Sequence, residues 1–139
     1  MDWFYPVLTG VIQGARGRQH LHSRWDTFVV DQLGCHCVSD EPWVTVAESC
    51  ELVIRESSFG ERQKAMQLFS WLHQFKDNDG SYWTGYVHRD EELWPLEKPT
   101  WTAGAILLAA DALAEKTGAA KLFTEESVVP TAKHAKRAN

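Results

Sequence analysis

A chain of 139 residues, 44% hydrophobic and 24% charged, has the size and make-up of one soluble globular domain. Its net charge of −5 speaks against a nucleic-acid or acidic-membrane surface, and the one basic run, Lys133, His134, Lys136 and Arg137, stands at the very end. No stretch reaches the ~18 consecutive apolar residues of a membrane span.

In chain order, Trp3, Val7, Leu8 and Val11 share one helical face, which predicts a first helix over 2–13 with Pro6 in its first turn. Glycines at 10, 14 and 17 predict a break. Leu21, Trp25 and Phe28 follow at i, i+4, i+7, the buried stripe of a second helix. Residues 30–42 read as a loop, within which the run Cys35-His36-Cys37-Val38 suits an extended conformation. A third helix begins between Glu41 and Thr45: Pro42 fits a first turn, and Thr45-Val-Ala-Glu48 matches a capping box. Its apolar face is Val46, Ala47, Cys50, Val53 and Ile54. A second capping-box pattern, Ser58-Phe-Gly-Glu61, opens a fourth helix with the stripe Ala65, Leu68, Phe69, Leu72 and Phe75.

Residues 76–99 form a long loop carrying Tyr82, Trp83, Tyr86 and Trp94. A loop of that length inside a small domain is either functional or disordered, and four large aromatics argue against disorder. Thr100 is the expected N-cap of a fifth helix reaching about Lys116. The run Ala103-Gly-Ala-Ile-Leu-Leu-Ala-Ala is apolar all round, which predicts an inner helix surrounded by others. A short sixth helical piece falls within 119–129, and 130–139 reads as a disordered basic tail. With no convincing strand, the expected class is all-α, as one helical domain over 1–129. Pro42-Trp-Val-Thr-Val-Ala47 also resembles Pro99-Thr-Trp-Thr-Ala-Gly104, a hint of an internal repeat.

Lys64-Ala65, Leu68-Phe69, Gln74, Gly80 and Trp83 together resemble the QW repeat of squalene and terpenoid cyclases. The Asp79-Gly80-Ser81 turn is similar to repeats of protein prenyltransferase β subunits. The spacing departs from the repeat twice: four residues separate Phe69 from Gln74, and two separate Gly80 from Trp83. Over roughly residues 1–129 the chain resembles the C-terminal part of bacterial prenyltransferase-like proteins. The resemblance implies an α/α toroid of inner and outer helices around a cavity. A whole toroid needs about twice these helices, so it implies a fragment, an open arc, or two copies that complete each other. Self-association, or a partner supplying further helices, follows as an expectation.

Several residues are candidates for chemistry. Asp77-Asn-Asp79-Gly80 has two of the carboxylates of a cyclase acid motif, but its composition is that of a turn. Arg89-Asp90-Glu91-Glu92 reads as a solvated loop. Cys35, His36 and Cys37, with His20 and His22 upstream, offer zinc-type ligands, but one intervening residue between the cysteines is a poor chelating spacing, and no metal is expected. Cys50 is plain core. Three cysteines make no disulfide framework, and with no basic n-region at Met1-Asp2-Trp3 the expected location is the cytoplasm. Glu48 and Glu51, on or beside the apolar face of the third helix, are the candidate catalytic carboxylates. Trp43, Tyr82, Trp83, Tyr86, Trp94 and Trp101 are the candidate substrate-binding aromatics; such faces hold carbocations and also stack on sugars. The leading expectation is therefore a prenyltransferase- or cyclase-like domain handling an isoprenoid or other apolar substrate. A carbohydrate-binding or carbohydrate-processing α/α barrel is the alternative, and a non-catalytic helical interaction module a third. The cofactor is left unknown. The carbohydrate alternative predicts an open cleft with carboxylates near the aromatics, the isoprenoid reading a deep apolar cavity.

Overall fold

The computed structural model describes residues 3–124. The expected tail over 130–139 and the end of the sixth helical piece lie outside them. The elements run α1 (Tyr5–Leu8), α2 (Gly14–His22), α3 (Trp25–Phe28), β1 (Val29–Val30), β2 (Gly34–His36), β3 (Trp43–Thr45), α4 (Val46–Ser58) and α5 (Arg62–Leu72). A 3-10 turn (His73–Phe75), β4 (Gly85–Val87), β5 (Glu92–Leu93), α6 (Thr100–Ala114) and α7 (Ala119–Thr124) complete them.

The five strands form one antiparallel sheet in the order β1-β2-β3-β4-β5. This overturns the all-α expectation: the fold is α+β, with β2, β4 and β5 in the stretches read as loops, 30–42 and 76–99, β1 at the start of the first of them, and β3 in residues read as the start of the third helix. Each strand has only two or three residues, too few to show a period of two in sequence. The pairings are non-local. Trp43 stands opposite Val87, with α4 and α5 inserted between their strands.

The helices also differ from expectation. Pro6 sits in the first turn of α1, as read, but the helix ends at Leu8; Gly10 follows at φ +77°, and Val11 is 80% exposed rather than part of a buried face. The predicted second helix is two, broken at Ser23–Arg24, although Leu21 and Phe28 are buried. Trp3 stacks on Phe28, with ring centres 4.9 Å apart, and meets Trp25 edge-on. Thr45 is the N-cap residue of α4, but its hydroxyl makes no cap bond; Ser49 Oγ instead donates to Thr45 O at 2.6 Å and accepts from Cys35 N–H at 2.8 Å. The alternative start at Pro42 fails because Trp43–Thr45 is strand. Glu61, not Ser58, is the N-cap of α5, and Pro99, not Thr100, that of α6.

The most enclosed helix is α4. It packs on α5, α6, α7, α1 and the sheet, and buries Val46, Ser49, Cys50, Leu52, Val53 and Ile54. The α5 stripe lies as expected except at Phe69: Ala65, Leu68 and Leu72 are buried, with Phe75 just beyond, while Phe69 is only partly buried. By contrast α6 is not an inner helix. Thr102, Ile106, Ala109, Ala112 and Leu113 face the core, while Trp101, Leu107 and Leu108 are 64%, 71% and 41% exposed. An inner ring of helices is therefore absent among the described residues. The apparent repeat also dissolves, since Trp43 belongs to a strand and Trp101 to a helix.

Candidate functional site

The sheet's two faces have different neighbours. Val44, opposite Tyr86, turns to the core: Val44 is fully buried, and the Tyr86 ring lies against Phe75. Side chains alternate along a strand, so Trp43, Val87 and Glu92, successive partners across β3, β4 and β5, share the other face. Trp94 joins them through its N–H, which donates to Gly85 O at 3.0 Å. There the two indoles meet edge to face, centroids 5.1 Å apart, and Trp43 Nε1 donates to Trp94 O at 2.8 Å. Gly85 makes this possible: a Cβ at that position would lie 2.5 Å from Trp43 Nε1 and 2.5 Å from Val44 O.

Around the two indoles opens a cleft of about 500 Å³. Val38, Pro42 and Val87 supply apolar walls, and Glu41, Arg89, Asp90 and Glu92 supply charge. Arg89 is turned onto its neighbour Asp90, Nε to Oδ1 at 3.0 Å. Sequence reasoning missed this rim: Arg89 to Glu92 is solvated, as read, but the pairing of Val87 with Glu92 brings it beside Trp43. Only strand pairing carries that information.

Glu48 and Glu51 stand one turn apart on α4. Tyr5 Oη donates to Glu51 Oε2 at 2.7 Å, and Cys37 Sγ donates to Glu48 Oε1 at 3.5 Å. Burial raises the Glu51 pKa above the usual carboxylate range; the Tyr5 bond opposes this and the Glu48 charge adds to it. Burial and Glu48 likewise push the Cys37 thiol up to about 11, so it is no ready thiolate. Neither carboxylate lines the cleft; the group is linked to it through Cys37, whose N–H donates to Trp43 O at 3.2 Å and whose neighbour Val38 is a cleft wall.

The other candidate aromatics lie elsewhere. Tyr82 is buried with its hydroxyl 2.7 Å from His73 Nδ1, and Trp101 projects from α6. Trp83 lies under the Lys98 ammonium, 5.0 Å from ring centre to Nζ. Lys98 in turn bridges Asp77 at 2.7 Å and Asp79 at 2.8 Å, and its hydrogen bonds hold both carboxyls below their usual range. With Gly80 at φ +89°, this stretch is a pinned turn. Among the potential ligands, Cys35 and Cys50 are buried in the core and His20 Nε2 is 2.8 Å from Trp3 O. His36 and His88 bring their Nε2 atoms to 2.9 Å, a pair that joins β2 to the end of β4; burial, then the neighbouring His88, lower the His36 pKa. Among the described residues, no three His, Cys, Asp or Glu side chains are grouped to hold a metal. Nor is any described helix long and apolar enough to cross a membrane.

No protein-family model matches the chain. Over 123 residues, 88% of its length, it is 46% identical to the MMP endo-(1,4)-3-O-methyl-alpha-D-mannosidase of Mycolicibacterium hassiacum. The match spans 34% of that protein. The similarity thus lies with a protein named as a mannosidase. Together with the five-stranded sheet, this overturns the resemblance to prenyltransferases and terpenoid cyclases.

Proposed function

We propose that this chain contributes a carbohydrate-binding cleft to the processing of an α-mannoside chain of the kind named for its mannosidase relative. The observation that carries the reading is the cleft itself: two indoles on one face of the sheet, rimmed by Glu41, Asp90 and Glu92. Indole faces pack on the C–H faces of sugar rings, and carboxylates accept hydrogen bonds from sugar hydroxyls. Trp43 and Trp94 are the substrate-binding pair of this reading. Glycoside hydrolysis needs a carboxylic acid kept protonated to serve the leaving group, with a second carboxylate near it. Glu51, partly buried and bonded to Tyr5, suits the acid, and Glu48 stands one turn away. The exposed apolar face of α6 supports a further proposal, that copies of the chain associate through it.

Calorimetric titration of the chain with α-(1→4)-linked mannose oligosaccharides tests the cleft. Binding is expected for the parent and lost in Trp43→Ala and Trp94→Ala, with the fold verified by circular dichroism. Unchanged affinity in both variants would remove the cleft from the reading, and no binding by the parent would remove the carbohydrate.

A further inference from the structure

We infer that His36 and His88 are positioning residues of the cleft: joined by one hydrogen bond, they tie β2 to the end of β4 across the reverse face of the sheet, fix the spacing of the cleft walls, and let go when both rings are charged. The effect on binding rests on the carbohydrate reading; the clasp itself rests on the geometry of the two rings. Their Nε2 atoms are 2.9 Å apart, and the ring planes are 9° from parallel. Rings stacked face to face cannot bring two nitrogens that close, because atoms of stacked rings stay about 3.5 Å or more apart. The centroids, at 5.1 Å, are nearly as far apart as two imidazoles can be with their Nε2 atoms in contact. The rings therefore meet head to head, and the contact is an N–H···N hydrogen bond in which one ring donates and the other accepts.

Such a bond tolerates one added proton and not two. His36 Nδ1 is buried without a formed hydrogen bond, and the Thr27 carbonyl on α3 favours a proton there. This assigns His36 Nδ1–H toward Thr27, His36 Nε2 as the acceptor and His88 Nε2–H as the donor. A first added proton goes to His88 Nδ1 and leaves the bond intact. A second has to sit on His36 Nε2, where it meets the His88 N–H head on and sets two like charges side by side. Burial, then His88, oppose the charging of His36. Among the described residues, none of the groups acting on His36 is a carboxylate: α3 offers the Thr27 carbonyl, β3 stands opposite with Val44, and Arg89, next to His88, is engaged by Asp90 and Glu41. The clasp also bears on both cleft walls. His36 stands opposite Val44 and His88 comes two residues after Tyr86, so by alternation both lie on the Val44 face, the reverse of Trp43. Neighbouring strands are about 4.8 Å apart, and the two rings together reach over β3 and hold the curvature of the sheet about it. Next to His36, Cys37 N–H donates to Trp43 O and leads into Val38; His88 N–H donates to Pro42 O at 3.0 Å, between the cleft residues Val87 and Arg89. A change of curvature at the clasp therefore alters the separation of Val38 from Val87.

The test joins imidazole NMR of the full chain to calorimetric titration with α-(1→4)-linked mannose oligosaccharides, from about pH 8 to about pH 5, the range in which histidine changes charge. It compares the parent with His88→Gln, whose side-chain amide keeps a donor at the same reach and takes up no proton; circular dichroism verifies the fold. In the parent the pair should titrate in two coupled steps, and the His36 midpoint should move up in His88→Gln, where no second charge opposes it. Sugar affinity should fall about two- to tenfold further in the parent than in the variant as pH falls, the factor that one hydrogen bond contributes. Glu51, whose pKa is raised, is present in both chains, so the difference between them reports the pair. His36→Gln gives the same comparison of affinities if His88→Gln does not fold. A His36 midpoint unchanged in His88→Gln would overturn the clasp, whatever the sugar does. Coupled steps with the same pH dependence of affinity in both chains would overturn the positioning role and leave carbohydrate binding in place. No sugar binding by the parent at any pH would remove the carbohydrate reading and the positioning role with it, while the NMR midpoints still decide the clasp.

Discussion

Glu56 shows how little a single residue's position in a sequence says about its environment. It reads as part of the polar end of a helix, beside Arg55, Ser57 and Ser58, yet it is 1% exposed. Its counter-ion, Lys64, lies on the next helix, 3.5 Å from Oε2, with its ammonium over the Trp25 ring. Burial raises the Glu56 pKa above its ordinary 4.5, and Lys64 acts in the opposite sense. The folded chain therefore binds this proton more tightly than the unfolded chain does. Glu56's contribution to stability is full below about pH 4.5 and is lost as pH rises through the folded-state value. Urea midpoints measured from about pH 4 to about pH 8 should fall less steeply in Glu56→Gln than in the parent. Identical slopes would mean that Glu56 titrates as if solvated. The same reasoning separates what was legible at the site. Glu48 and Glu51 were singled out from the face of one helix, but their partners Cys37 and Tyr5 come from distant segments that no local spacing links to them.

Among the elements, legibility followed length. The α5 stripe spans three turns, enough for the 3.6-residue period to appear, and its leucines are buried where the pattern puts them: Leu68 is 1% exposed and Leu72 0%. Leu68→Ala and Leu72→Ala should each cost about 2–5 kcal/mol, the cost of emptying a core site that only partly collapses. Chemical denaturation measures this, and an unshifted midpoint would place the side chain outside the core. The strands were invisible for the opposite reason. Two or three residues carry no period, and their stability comes from partners such as Trp43 and Val87, far apart in sequence. Trp43 and Trp94 could be chosen for their chemistry, but nothing short of the strand pairing shows that these two, and not Trp83 or Trp101, meet. The α6 sequence misled in its own way. Apolar on every side, it suggests complete burial, yet the described residues cover only one side.

At the scale of the whole molecule, that uncovered side is the feature still to be explained. Thr100–Ala114 contains one charged residue, Asp111, so no polar stripe marks a solvent face. Trp101, Leu107 and Leu108 stand exposed over about two turns of the helix. Contiguous apolar patches beyond a few hundred Å² are rare on soluble monomers and mark contact surfaces. A second copy is the simplest occupant, because a helix face set against its own two-fold mate buries the same residues twice and closes without leaving a further sticky surface. The expected outcome in multi-angle light scattering is a mass that rises with concentration from 15.8 kDa toward twice that value. Leu107→Glu should hold the chain at the monomer mass across the same range, since a carboxylate buried in an apolar contact is left unpaired. It should do so without altering the urea midpoint of the monomer, because Leu107 touches solvent rather than core. A parent that stays monomeric at every concentration would show that α6 does not join two copies of this chain. A Leu107→Glu variant that dimerises as the parent does would place the interface on another face.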